Sequence, residues 1–156
     1  MKQILAPRDY IEAASSLAAF AHTGQKYGEF DYYKHHVVGV YDACIKQPTN
    51  DRVSREELGA VALLHDVLED SHVGAGLINI YFSPNVVDCV LLLTHVSPMT
   101  RETYIKRIVA NRATHPIAWI VKVEDTKFNL NNNIQQGNVR GIKRYSEQLT
   151  MLLGEP

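Results

Sequence analysis

The sequence predicts an all-α protein with a single domain, and three observations favour this class. Apolar residues recur at intervals of three and four along most of the 156-residue chain, the period of helices packed on a common core. Polar cap residues and glycine or proline breakers separate these segments at helix-like intervals. We find no clear strand signal and no internal repeat. A compact multi-helix bundle over residues 1–156 is therefore predicted, rather than a solenoid.

Start and stop signals give the order of the predicted helices. Gly24 ends the first, and Ser54 with Glu57 forms a capping box that opens the third. Ser83 is followed by proline at the first helical position, and Thr100 is a further N-cap residue. The predicted helices cover residues 8–22, 32–47, 54 into the stretch 61–71, 76–82, 83–95, 100–112, 115 to beyond 129, and 139–153. A polar loop is expected over residues 25–31.

Charge and composition restrict the classes of function. The formal net charge is −1, which gives no global basic surface for nucleic acid. Bases concentrate after residue 100, which suits a chain whose first half holds a cation and whose second half binds phosphates. Solvated helix faces are the alternative explanation. Two cysteines, Cys44 and Cys89, lie in apolar helical patterns without pairing motifs, which fits a reducing cytoplasm. No signal peptide and no membrane-spanning apolar run are found.

The most informative stretch is residues 61–71, an apolar helix that ends in a group of possible metal ligands. His65, Asp66, Glu69 and Asp70 fall within six residues. On a helix His65 would lie beneath Glu69 and Asp66 beneath Asp70, because residues four apart share a face. This spacing predicts a metal or acid–base site rather than a solvated helix end.

Two other segments could complete such a site. His35 and His36 are adjacent on the second helix, so their side chains point about a hundred degrees apart and at most one faces a common centre. Asp125 follows a buried helical pattern, where a charged group needs a partner or a cation. Asn129 lies one turn later on the same face.

Several motifs together resemble a known family. Residues 21–25 read Ala-His-Thr-Gly-Gln, 32–36 read Tyr-Tyr-Lys-His-His, 62–70 read Ala-Leu-Leu-His-Asp-Val-Leu-Glu-Asp, and 121–130 read Val-Lys-Val-Glu-Asp-Thr-Lys-Phe-Asn-Leu. In this order they resemble the HD-domain metal-dependent phosphohydrolases, above all the hydrolase domain of RelA/SpoT-type enzymes and the single-domain small alarmone hydrolases. The resemblance covers residues 10–145 and implies a helical HD-domain fold.

The resemblance also implies roles for individual residues. The implied metal ligands are His35, His65, Asp66 and Asp125, and the acids that activate water are Glu69 and Asp70. The implied contacts with substrate are Asn129, Lys122, Lys26, Tyr32, Arg144 and Tyr145. Two imidazoles and two carboxylates suit Mn²⁺, with Fe²⁺, Ni²⁺ or Zn²⁺ as substitutes.

The implied reaction is hydrolysis of the 3′-pyrophosphate of (p)ppGpp to GDP or GTP and pyrophosphate, with a small nucleotide as the partner. The alternatives are a nucleoside monophosphate or NADPH phosphatase, and a nucleotide-binding HD module with little turnover. The chain departs from the family pattern in several places, among them Glu124, which adds a negative charge beside Asp125. His36 replaces a proline, Phe30 and Asp31 stand where the family has proline, and an arginine is replaced around Lys26 and Tyr27. We therefore expect altered base preference; the oligomeric state is left open.

Overall fold

The computed structural model describes residues 3–154 and confirms the all-α class. A short 3₁₀ turn, Pro7–Asp9, precedes the first helix. The α-helices are Tyr10–Ala21 (α1), Val38–Ile45 (α2), Arg55–Leu64 (α3), Val67–Asp70 (α4), Ala75–Tyr81 (α5), Pro84–Leu93 (α6), Arg101–Ala110 (α7), Pro116–Gln135 (α8) and Val139–Leu153 (α9). Among the described residues, no helix is long and apolar enough to cross a membrane.

The predicted helix starts are confirmed in atomic detail. The hydroxyl oxygens of Ser54, Ser83 and Thr100 each accept a hydrogen bond from the backbone amide three residues later. Each cap satisfies an amide that the helix itself cannot pair and typically stabilises a helix by about 1 kcal/mol. These local signals therefore fix where α3, α6 and α7 begin.

The segment predicted as a loop contains a small two-stranded antiparallel hairpin. Strands Lys26–Tyr27 (β1) and Phe30–Asp31 (β2) pair Lys26 with Asp31 and Tyr27 with Phe30. Gly28 adopts a φ of 60°, which the tight turn requires and which glycine accepts without strain. Two residues per strand are too few to produce an alternating pattern, so sequence analysis missed the hairpin.

Two predicted helices are interrupted near the ligand candidates. Before α2 the chain forms a π-helical turn, Tyr33–Val37, in which the amide of Val38 bonds to the carbonyl of Tyr33. Helix α3 ends at Leu64, and α4 begins only after Asp66, whose φ and ψ are −106° and −1°. The continuous helix predicted through residues 61–71 is therefore wrong at His65 and Asp66.

Helix α3 occupies the centre of the fold. Every residue from Leu58 to Leu64 is buried, and α3 lies against α1, α2, α6 and α8. A Cβ at Gly59 would lie 2.4 Å from the terminal methyl of Ile11 on α1, so glycine lets Ile11 pack directly on this helix. Because α3 ends inside the protein, it places His65 in the interior rather than at the surface.

Candidate active site

Two histidines and two aspartates from separate elements meet at the end of α3. Nε2 of His65 lies 2.9 Å from Oδ2 of Asp66 and 3.8 Å from Oδ1 of Asp125. Nε2 of His36 lies 3.4 Å and 3.3 Å from the same two oxygens. Ligand atoms of His36, His65 and Asp66 all fall within 4.8 Å of one another. We call these four residues the central cluster.

The structure brings His36, not His35, to the central cluster. His36 precedes Val40 by four residues and Cys44 by eight, and all three are buried, so His36 shares the buried face of this helix. His35 is half-buried and stacks on Phe30, with ring centres 4.3 Å apart. The prediction that His35 joins His65, Asp66 and Asp125 is therefore corrected to His36.

The error has an identifiable cause. Tandem tyrosines and tandem histidines let the pattern Tyr-x-x-His fit in two registers, Tyr32 to His35 and Tyr33 to His36. The spacing of His36 from the buried Val40 could have selected the second register. The π-helical turn, which sets the direction of both imidazoles, has no signal of its own in the sequence.

The protonation pattern of His65 tests whether a cation fits. Nδ1 of His65 lies 2.7 Å from the carbonyl oxygen of Ala62, so it must carry a proton and donate to that oxygen. This leaves Nε2 facing the carboxylates, buried and 2.9 Å from Asp66 Oδ2. When Nε2 carries no proton, its lone pair faces two carboxylates and has no donor to accept from within the described residues, which matches the donor set of a transition-metal site.

The electrostatics of the central cluster also favour a cation. Burial opposes the charged form of His36, but Asp125 and Asp66 outweigh it and raise its pKa to about 9. The pKa of His65 is also raised, against its burial, by Asp66. Burial likewise opposes ionisation of the two aspartates, yet the histidines and Lys122 hold both pKa values below the ordinary range. The cluster thus attracts positive charge, which a divalent ion would supply in place of two protons.

Neighbouring side chains hold the two aspartates in place. Lys122 Nζ lies 2.8 Å from Asp125 Oδ2, and Asn129 Nδ2 donates to Asp125 Oδ1 over 2.8 Å. The hydroxyl of Tyr32 donates to Asp66 Oδ2 over 2.6 Å. Lys122 is buried and its ammonium is committed to Asp125, although it also lines the cavity described below.

The two predicted catalytic acids differ in their surroundings. Glu69 lines the cavity and accepts a hydrogen bond from the backbone amide of His95 over 3.0 Å. Asp70 lies 3.4 Å from the hydroxyl of Tyr32, and burial, followed by the charges of Asp66 and Glu69, raises its pKa. Glu69 is therefore the acid held at the cavity surface, whereas Asp70 contacts Tyr32.

A cavity of about 280 Å³ joins the central cluster to a cationic wall. Arg101 of α7 and Arg144 of α9 each place the guanidinium carbon 5.6 Å from the ring centre of Tyr145. Neither arginine forms an ion pair with a carboxylate in residues 3–154. The cavity can therefore offer two positive charges to an anionic group near the central cluster.

Most of the residues that sequence analysis assigned to substrate line this cavity. They are Tyr32, Lys122, Asn129, Arg144 and Tyr145. Lys26 is exposed on β1 and does not line it, whereas its neighbour Tyr27 does. Tyr104, His95 and Arg101 also line the cavity, and none of them was among the site residues predicted from the sequence. The concentration of bases after residue 100 was the one signal for Arg101.

Comparison with known proteins identifies the fold. The chain matches no known family profile and no curated protein sequence. It does match the solved structure of a metazoan ortholog of SpoT, described as hydrolysing ppGpp and playing a role in starvation responses. The TM-score is 0.71 at 23% sequence identity, over 96% of this chain and 89% of that chain. This likeness shows that the present chain has the same HD-domain-like helical fold.

Proposed function

We propose that this protein, built on the fold of a ppGpp hydrolase, is a metal-dependent phosphohydrolase that removes the 3′-pyrophosphate of (p)ppGpp and releases GDP or GTP. One observation carries the proposal. His36, Asp66 and Asp125 line the same cavity as two guanidinium groups without acidic partners, and the buried Nε2 of His65 lies 2.9 Å from Asp66 Oδ2. A cation site beside an anion site is the arrangement that cleavage of a phosphate ester requires.

His36, His65, Asp66 and Asp125 would hold the metal ion. Two imidazole nitrogens and two carboxylate oxygens form a mixed donor set that suits Mn²⁺, with Fe²⁺, Ni²⁺ or Zn²⁺ as substitutes. When bound, such an ion lowers the pKa of water and polarises a phosphoryl oxygen. Lys122 and Tyr32 orient the two carboxylates through the hydrogen bonds described above, which is the usual task of residues behind a metal ligand.

Glu69 is the general base in this proposal. Its carboxylate lines the cavity, and the backbone amide of His95 holds one oxygen in place. A carboxylate oriented in this way can accept the proton of the attacking water. Asp70, whose pKa is raised by burial and by the charges of Asp66 and Glu69, is the second acid beside the central cluster and lies 3.4 Å from the hydroxyl of Tyr32.

Arg101 and Arg144 bind the phosphates. An arginine already neutralised by a carboxylate gives little to an anion, and neither of these two is neutralised within the described chain. Two such guanidiniums, each 5.6 Å from the ring centre of Tyr145, suit a group that carries more than one phosphate. This favours a pyrophosphate group over a single phosphate and so disfavours the monophosphatase alternative.

The hairpin supplies Tyr27 as the side chain that contacts the nucleobase of the substrate. Tyr27 lines the cavity, stacks on His36 with ring planes 4° apart, and donates its hydroxyl proton to Asn129 over 2.7 Å. An aromatic side chain therefore lies near the position where the family pattern has arginine, while Lys26 is exposed. We infer relaxed or altered base preference, because stacking on an aromatic ring discriminates little between bases.

A nucleotide panel tests the function. The Mn²⁺-loaded protein is incubated with ppGpp, pppGpp, ppApp, NADPH and nucleoside monophosphates, and the products are resolved. We expect GDP and pyrophosphate from ppGpp, with monophosphates intact. Glu69→Gln, which removes the base and keeps the side-chain shape, is the matched control for contaminating activity. Orthophosphate from monophosphates, with ppGpp intact, would establish a nucleotidase instead.

We also propose that the protein is cytoplasmic. Both cysteines of the chain, Cys44 and Cys89, are free and buried in the core. Burial raises the pKa of the Cys89 thiol to about 12, so it stays protonated and unreactive at neutral pH. Two unpaired thiols used as small apolar side chains suit the reducing cytoplasm.

A further inference from the structure

We propose that Gln148 of α9 is a positioning residue that aims the guanidinium of Arg101 at the substrate's phosphates while leaving its charge free. The inference rests on the proposed function in one respect only, the assignment of Arg101 to phosphate binding. Gln148 does not line the cavity of the central cluster, so it acts through Arg101 rather than by touching substrate.

The environment of Gln148 is unusual for a glutamine. Its side chain is 3% exposed, although α9 is a surface helix whose neighbouring position, Glu147, is open to solvent. An apolar residue at this position would need no hydrogen bonds. A buried amide, by contrast, costs free energy unless its polar atoms find hydrogen-bond partners. Both ends of the Gln148 amide are in fact bonded.

The hydrogen bonds of Gln148 fix its orientation. The hydroxyl of Thr126 donates to the carbonyl of Lys122 over 2.7 Å, so its oxygen can only accept the next bond. Nε2 of Gln148 supplies that bond over 2.6 Å. The amide oxygen must then face Arg101, where it accepts from Nε over 2.8 Å. The chain of bonds therefore allows one arrangement of the amide.

This chain of bonds ties Arg101 to the helix that carries a cluster residue. Lys122 and Thr126 flank Asp125 on α8, so the guanidinium is held from the same turn that holds Asp125. With Nε engaged, the two terminal nitrogens of Arg101 remain available to phosphate oxygens, which they can bind in pairs. The hydrogen bond at Nε thus fixes the direction of the two terminal nitrogens of Arg101.

The choice of an amide over a carboxylate follows from charge. A glutamate at position 148 would also accept from Arg101, but it would cancel the positive charge that attracts phosphate. A neutral acceptor orients the guanidinium and leaves its charge intact. This explains a buried glutamine where either an apolar residue or an acid would otherwise be expected.

A double-mutant cycle tests the proposal. Gln148→Met, Arg101→Met and the double variant are compared with the unmodified protein, all loaded with Mn²⁺. The first measurement is the affinity for inorganic pyrophosphate by calorimetry; the second is kcat and KM for ppGpp. Gln135→Met, the same change at an exposed site of α8, is the matched control. Thermal unfolding and metal content of each variant separate misfolding from mispositioning.

We expect Gln148→Met to weaken pyrophosphate binding about tenfold, the effect of losing one hydrogen bond to a charged group. KM for ppGpp should rise by a similar factor while kcat changes less. In the Arg101→Met variant, adding Gln148→Met should not weaken pyrophosphate binding further, because Gln148 acts through Arg101. Gln148→Glu should also weaken binding, because the carboxylate would neutralise Arg101 and could not donate to Thr126.

Three results would overturn the proposal. They are an equal loss from Gln148→Met in both backgrounds, unchanged pyrophosphate affinity in Gln148→Met, and no pyrophosphate binding by the unmodified protein. If pyrophosphate binding shows the expected coupling but ppGpp is not hydrolysed, the role of Gln148 is supported and the proposed reaction fails. The two proposals are therefore distinguishable in one set of measurements.

Discussion

Replacing each of the two adjacent histidines in turn gives the sharpest test of the metal centre. His36→Ala removes a ring whose Nε2 lies within 3.4 Å of both carboxylates, whereas His35→Ala removes a half-buried ring that stacks on Phe30. The two variants change the same atoms at neighbouring positions of one turn. Any difference between them therefore reports the direction of the side chain rather than its chemistry.

The expected magnitude follows from the geometry. Mutating a residue that only supports a metal ligand typically weakens metal binding 10- to 100-fold. His36 lies in the central cluster itself, so His36→Ala should weaken Mn²⁺ binding at least about 100-fold, which corresponds to about 2.7 kcal/mol. His35→Ala should leave the affinity within about threefold of the unmodified protein.

The assay combines metal titration with thermal unfolding. A ligand at a hundred times its dissociation constant stabilises the folded state by about 2.7 kcal/mol. Mn²⁺ should therefore raise the unfolding temperature of the unmodified protein and of His35→Ala, and leave that of His36→Ala unchanged. The metal-free unfolding curves provide the control for a damaged fold. Lost binding in His35→Ala together with retained binding in His36→Ala would refute the assignment.

Three further predictions concern the acids, the buried lysine and pH. Glu69→Gln should keep its fold and its affinity for Mn²⁺ but lose about a hundredfold or more in kcat, the scale of a lost general base. A near-normal kcat would show that Glu69 is not the general base. Lys122→Met should lower the free energy of unfolding of the metal-free protein by about 3 kcal/mol, because Asp125 loses its buried partner. Lys106→Met, at the solvent-exposed pair with Glu102 on α7, should leave the free energy of unfolding nearly unchanged in urea titrations. Because the pKa of His36 is raised from 6.5 to about 9, its protonation stabilises the metal-free fold fully below pH 6.5. The urea midpoint should then fall as pH rises through 9, while Mn²⁺ affinity rises over the same range; a flat midpoint would contradict this.

The sequence by itself determined the class of fold and the region of the site. Helix caps such as Ser54 and Thr100 act on amides three residues away, so they are readable without any tertiary information. The same holds for the spacing of His65, Asp66 and Glu69, because one turn of chain brings these residues close together whatever surrounds them. The helix break at Leu64 changed their relative directions but not their proximity.

The tertiary structure decided which side chains meet. The π-helical turn at the two histidines leaves no mark in the hydrophobic pattern, so only the spacing of His36 from the buried Val40 pointed to the correct histidine. Lys122, expected at the phosphates, is paired with Asp125 because both are buried on one turn of α8. Arg101 receives its orientation from Gln148, which lies 47 positions away in the chain. Such contacts form only when distant helices pack, and hydrogen-bond distances of about 3 Å are set by that packing rather than by local spacing.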